Sequence, residues 1–140
     1  MEKLTLNLAT NYILSYKRKV LKNNIVDRKS KYTTIWLYIE NKEEVWQFMK
    51  ELLKDKYFSK ATHNTYAYRV LLDNWSILES KNDDWETAAW NCILRELQRE
   101  NMVNTLVVVT RYFGWIQLHS DRFKNVINAT KEILKFKKEL

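Results

Sequence analysis

A chain of 140 residues with a single glycine and no proline has few ways to turn. Tight turns must be made by asparagine, aspartate and serine, which tolerate left-handed or side-chain-capped backbone. Loops that bring backbone amides against a phosphate ordinarily need glycine, so a P-loop and a dinucleotide fingerprint are excluded. What remains favours regular elements joined by polar connectors. The length suits one domain with a sizeable core. With 46% hydrophobic residues, six Trp and eight Tyr, disorder is excluded as the dominant state.

No apolar run approaches the length that spans a bilayer. The N-terminal stretch MEKLTLNLATNYILSYKRK has an acid at its second position and polar interruptions, unlike a signal peptide. One cysteine, Cys92, cannot build a disulfide framework. These features predict a cytoplasmic protein without a membrane partner. The net charge of +7 is uneven: residues 1–32 carry eight Lys/Arg against Glu2 and Asp27, and residues 131–140 carry four against two acids. Basic ends of this kind suit nucleic acid, an anionic surface or an acidic protein, and equally serve solubility. The richness in Lys and Asn fits an AT-rich genome such as that of a phage or mobile element.

KYTTIWLYIE (31–40) alternates as a strand, with Ile35, Leu37 and Ile39 on one face and Trp36 and Tyr38 on the other. Asn41 and Glu44 form a capping box for an amphipathic helix over 42–56. A strand follows at 62–72 and a short one at 75–79. Asp83 and Glu86 read as a second capping box, opening a helix to about residue 100. NTLVVVTRYF (104–113) is a β-branched run suited to a central, doubly covered strand. Ser120 or Asp121 caps a last helix. KVLKNNIV (19–26) reads as a hairpin arm turning at Asp27–Ser30. We read residues 1–24 as a basic N-terminal segment adding strand to the sheet, and 25–140 as the domain proper. The order predicts an α+β fold with a single mixed sheet and helices mainly on one face. Trp36, Tyr38, Tyr66 and Tyr68 would then share the opposite, open face.

Four stretches occur in a telling order: RKSKY (28–32), ATHNTYAYR (61–69), NDDWET (82–87) and VVVTRYFGWIQL (107–118). Together they resemble the YigZ/IMPACT family over about residues 25–135. The resemblance implies the family's N-terminal domain, a ribosomal-protein-like β-α-β fold akin to a domain of elongation factor G. It further implies a role in translation regulation, without established enzyme activity. Bacterial members usually carry a second, smaller C-terminal domain. The chain departs from the family pattern where Trp85 replaces a glycine, and after Gly114, where WIQLHSDRFKN replaces a glycine-rich run. Trp115, His119 and Arg122 there would close or reshape any anion site built from bare backbone amides.

The chemical candidates are few. His63 with Asp83, Asp84 and Cys92 could be imagined as metal ligands, but a sheet histidine and a buried helical thiol explain them more simply. Ser120 beside His119 is better read as a helix cap than as a nucleophile. Asp83 and Asp84 suit a helix N-terminus. No catalytic residues, metal ligands or cofactor are assigned; a metal-dependent hydrolase is the remote alternative.

Binding is the better reading. Single strands of nucleic acid are held by aromatic platforms with Lys and Arg along the backbone. The candidate surface comprises Lys17, Arg18, Lys19, Lys29, Lys31, Trp36, Tyr38, Tyr66, Tyr68, Arg69, Arg111 and Tyr112. The expected partner is RNA or a ribosome-associated factor. In the alternative, the chain is a phage or mobile-element inhibitor, for example an anti-CRISPR, that binds a host protein. A homodimer is another way to cover so apolar a face.

Overall fold

The computed structural model describes residues 18–83 and 88–137. Among the described residues nine elements follow one another: β1 (Arg18–Asp27), β2 (Ser30–Tyr38), α1 (Lys42–Leu52), α2 (Lys56–Ser59), β3 (His63–Leu71), β4 (Ile77–Asp83), α3 (Ala89–Arg99), β5 (Thr105–Tyr112) and α4 (Asp121–Leu134). The strands form one sheet in the order β1-β2-β5-β3-β4. The α+β fold with a single sheet is as expected, and the β-branched run of β5 is its centre.

Two expected details differ. The sheet is antiparallel at every pairing instead of mixed. The strand pairs joined through helices, β2 with β3 and β4 with β5, do run parallel, but each has another strand inserted between its members. The helices also cover both faces instead of one. α1 and α2 place Val45, Phe48, Met49, Leu52 and Phe58 on Ile35, Leu37, Tyr68, Val70, Leu106 and Val108. α3 and α4 place Ile93, Leu94, Leu97, Val126, Ala129 and Ile133 on Tyr32, Trp36, Ala67, Val107 and Val109. Two crossovers of the same hand, advancing in opposite directions along reversed strands, would put α1 and α3 on one face. Here they lie on opposite faces, so one crossover breaks the usual right-handed preference.

Local chemistry explains most boundaries. Asn41 Oδ1 accepts the Glu44 amide at 2.9 Å, and Glu44 Oε1 accepts the Glu40 amide at 2.6 Å, so the capping box forms but closes one residue early. α1 stops at Leu52. Asp55 then accepts the Tyr57 amide at 2.8 Å and starts α2, breaking the single helix expected over 42–56. The second capping box is absent: Asp83 ends β4, paired with Thr65, and Glu86 lies outside the described residues. α3 starts instead after Ala88, whose φ is 70°, without a side-chain cap. Ser120 precedes α4 but makes no capping bond from its side chain.

Turns without glycine are made by residues in left-handed backbone. Arg28 (φ 46°) and Lys29 (φ 71°) link β1 to β2 in a two-residue turn with both central φ positive, the pairing that matches strand twist. Asn23, Asn101 and Asn104 are also left-handed, as are Trp75, Trp115 and His119. Gly114, by contrast, has no positive φ. Its role is close approach: a Cβ there would be driven into the carbonyl of Lys29 and to 2.6 Å from the Lys29 Cβ.

Candidate functional site

The register sorts the proposed surface residues. Trp36 pairs with Val107, which pairs with Ala67, so these three share the α3/α4 face. Tyr66 and Tyr68 pair with Val108 and Leu106 and belong to the α1/α2 face. The open face of four aromatics therefore does not exist. Trp36 is 2% exposed and Tyr68 is buried. Tyr38 and Tyr66 are half-buried against opposite cores. The Tyr38 hydroxyl donates to Glu40 at 3.1 Å, and burial, reinforced by that carboxylate, pushes its pKa up.

The proposed basic residues separate as well. Arg18 and Lys19 sit at the start of β1, opposite Leu37 and Trp36, with the Lys19 ammonium 3.9 Å from the centre of the Phe136 ring. Lys29 and Lys31 lie at the other end of the same hairpin, roughly 30 Å away for a ten-residue strand. Lys17 lies outside the described residues. Arg69 is a buried clamp: its guanidinium donates to Glu79 at 2.8 Å and to the Met102 carbonyl at 2.9 Å.

The fold does bring together Lys29, Lys31, Arg111 and Tyr112. Tyr112 pairs with Lys31, and Arg111 pairs with both Tyr32 and His63. This end of the sheet is also where RKSKY, the start of ATHNTYAYR and RYFG converge, and their residues are mostly fastened to one another. Asn64 donates to the Phe58 carbonyl at 2.9 Å and accepts from the Thr110 hydroxyl at 2.8 Å. The Phe113 amide donates to Thr62 Oγ1 at 2.9 Å, and the Gly114 amide to Ser30 Oγ at 3.0 Å. The Tyr112 hydroxyl donates to the Tyr57 carbonyl, and burial first, then Tyr57 and Asp55, raises its pKa. Cys92 lies on α3, its thiol directed at the Ala88 carbonyl 3.7 Å away. Among the described residues no three of His, Cys, Asp and Glu gather as metal ligands would.

Sequence reasoning missed two features of this end. Trp115, read as a plug for a lost glycine-rich site, projects outward with 87% of its surface exposed. Phe113 lies 5.4 Å from it, ring centre to ring centre, and carries the Arg111 guanidinium 5.5 Å from its own ring. The second feature is an ionic knot. Arg28 donates to both carboxylate oxygens of Asp27 at 3.0 Å and to Asp121 at 2.5 Å, tying the β1–β2 turn to the start of α4. The Asn125 amide adds a bond to Asp27 at 2.9 Å.

The bond from Arg28, with that from Asn125 next, holds the Asp27 carboxyl at about 2, below its ordinary 3.8. A depressed carboxylate contributes stability in full above its unfolded value and loses it as pH falls through the folded value. The melting temperatures of the parent and of Asp27→Asn should therefore differ above about pH 4 and converge as pH approaches about 2. A difference that persists unchanged across that window would remove the knot from the account.

An α+β domain whose signature residues close one end of an antiparallel sheet defines the structural class. The comparisons give it a family. The model of the Impact N-terminal domain matches residues 28–134, close to the span of the resemblance. The chain is 39% identical over 112 residues to Protein IMPACT of Danio rerio and to Protein IMPACT-B of Xenopus tropicalis, and 36% identical over 111 residues to human Protein IMPACT. Each match takes in 79% of this chain and 35% of the relative, so the chain spans about a third of the length of these curated relatives. The fold matches a crystal structure described as that of a hypothetical protein, with TM-score 0.73 and 21% identity over 84% of this chain and 57% of that one. It also matches Yih1, described as a two-domain translational regulator, with TM-score 0.59 and 24% identity over 92% of this chain and 49% of that one. This chain belongs to the Impact N-terminal domain family.

Proposed function

We propose that the chain is a non-catalytic binding domain that acts in the regulation of translation by engaging RNA or a ribosome-associated partner. The observation that carries this reading is where three of the four signature stretches meet: at one sheet end that also presents Lys29, Lys31 and Trp115 to solvent. Family membership and the likeness to a translational regulator support the process. The internal fastening of Asn64, Thr110, Ser30 and Gly114 supports scaffolding over catalysis, because these groups spend their hydrogen bonds on one another. The reading as a mobile-element inhibitor of a host protein gains no support from the geometry.

Co-sedimentation with ribosomes of the encoding organism tests this. The full chain should enter the ribosomal fractions of a gradient at low salt and leave them as salt rises, since contacts through lysine are screened. Protein that stays at the top of the gradient at every salt concentration would overturn the reading.

A further inference from the structure

We propose that the turn following β5 is a single-stranded RNA site, with Trp115 as the platform for an unpaired base and Lys29 and Lys31 as the phosphate contacts. This rests on the binding reading above and names the ligand class of that same sheet end.

The turn is built to hold its ring outward. Trp115 adopts a φ of 67°, an uncommon conformation for a bulky side chain that persists only where its surroundings impose it. The surroundings do so here from both sides. The Phe113 amide is bonded to Thr62, the Gly114 amide to Ser30, and Gly114 lies flush on the Lys29 backbone. Phe113 braces the indole at 60° between ring planes. A backbone set before the ligand arrives spares part of the ordering cost of binding.

Charge decides what such a ring receives. Two described tryptophans are exposed to a similar extent, Trp115 at 87% and Trp75 at 81%. Trp75 sits in the β3–β4 turn two residues after Asp73. The acid further on, Glu79, is held by Arg69, and among the described residues no exposed lysine pair stands by this turn as at Trp115. Trp115 follows Gly114, which touches Lys29, and lies beyond Tyr112, which pairs with Lys31; both lysines are exposed. Asp27 and Asp121 are engaged by Arg28, and among the described residues no acid forms an ion pair with Lys29 or Lys31. A basic concavity between α3 and α4 is largely paired. It encloses about 430 Å³ and is lined by Arg99, Lys131, Lys135 and Lys137, of which Arg99, Lys135 and Lys137 are held by Glu96, Glu132 and Glu100 respectively, and it presents no aromatic ring. An exposed ring at the same sheet end as two exposed lysines suits a nucleotide, with the base on the indole and the phosphates reaching toward the lysines. Bases in a duplex have both faces covered by stacking, which favours the unpaired strand.

The test is fluorescence anisotropy of a labelled 12-nucleotide single-stranded RNA of mixed sequence, titrated with the full chain at several salt concentrations. A matched RNA duplex and a 12-residue glutamate peptide serve as comparators. Trp115→Ala should raise the Kd about tenfold or more, as removal of a stacking platform does. Lys31→Glu should weaken binding and reduce the salt dependence by at least the share of one phosphate contact, about 0.7 in the log–log slope. Trp75→Ala should change nothing. All three positions are exposed, and thermal melting confirms that each variant is folded. Unchanged binding in Trp115→Ala, or glutamate peptide or duplex bound as tightly as the single strand, would overturn the proposal. Ribosome co-sedimentation separates the two claims. Wild-type chain that co-sediments but does not bind the single strand leaves the broader function standing without this site, whereas tight Trp115-dependent binding without co-sedimentation does the reverse.

Discussion

Gly114→Ala should lower the melting temperature by on the order of 10 °C, corresponding to about 3 kcal/mol for a chain of this size. Glycine is usually kept for its backbone freedom, but here φ is not positive and alanine would be conformationally acceptable. The obstacle is space. The new methyl would overlap the Lys29 carbonyl, and 2.6 Å from the Lys29 Cβ is well inside contact distance. Backbone cannot swing aside as a side chain can, so either β5's exit or the β1–β2 turn must shift, at the expense of the Gly114–Ser30 bond. Circular-dichroism melts measure this directly, and an unchanged midpoint would show that the two loops are not packed as described. Lys29→Gly is the instructive partner variant. It removes the strain of a non-glycine residue in left-handed backbone, about 1 kcal/mol, so the fold should hold or gain in stability while RNA affinity falls.

Trp36→Ala should destabilise the domain by about 3–5 kcal/mol, the usual range for emptying a large core site. Trp36 is almost fully enclosed between β5's Val107 and the α3/α4 layer, so neighbouring side chains cannot collapse into the space without moving helices. Its indole N–H has no hydrogen-bond partner among the described residues. Trp36→Phe should accordingly be much milder, because it retains most of the apolar volume and removes an unsatisfied donor. Urea unfolding of the pair separates these cases. Equal losses would mean that the nitrogen matters and the packing does not, and loss of RNA binding by a well-folded Trp36→Phe would restore Trp36 to the surface.

Within single elements the sequence was a good guide. The alternation in KYTTIWLYIE, the cap at Asn41, the turn at Asp27–Ser30 and the central place of VVVTRY all appear in the fold. Relations between elements were not legible. Strand periodicity shows that Trp36 and Tyr38 share a side, but only the register through Val107 and Val108 shows that Tyr66 and Tyr68 are on the other. Normal crossover handedness would have gathered α1 and α3 on one face, and the sequence carries no sign of the reversal. The break at Leu53–Asp55 lacked the usual glycine or proline marker, and Asp83, plausible as a cap, is strand. At the candidate site, RYFG and RKSKY were visible as signatures, and of the twelve candidate residues Lys29, Lys31, Arg111 and Tyr112 come to one sheet end while the other described ones scatter. Trp115 was not among the twelve, because a tryptophan is ordinarily core and nothing in WIQL reveals that its backbone turns it outward.

The most direct test is the indole N–H region of a ¹⁵N-labelled NMR spectrum of the full chain, recorded as single-stranded RNA is added. The Trp115 and Trp75 signals are assigned by their disappearance in the two Trp→Phe variants. The Trp115 resonance should shift progressively and saturably while that of Trp75 stays in place. A titration that moves Trp75 and leaves Trp115 unchanged, or that moves no indole at all, would contradict the placement of the binding surface at the Lys29–Trp115 end of the sheet.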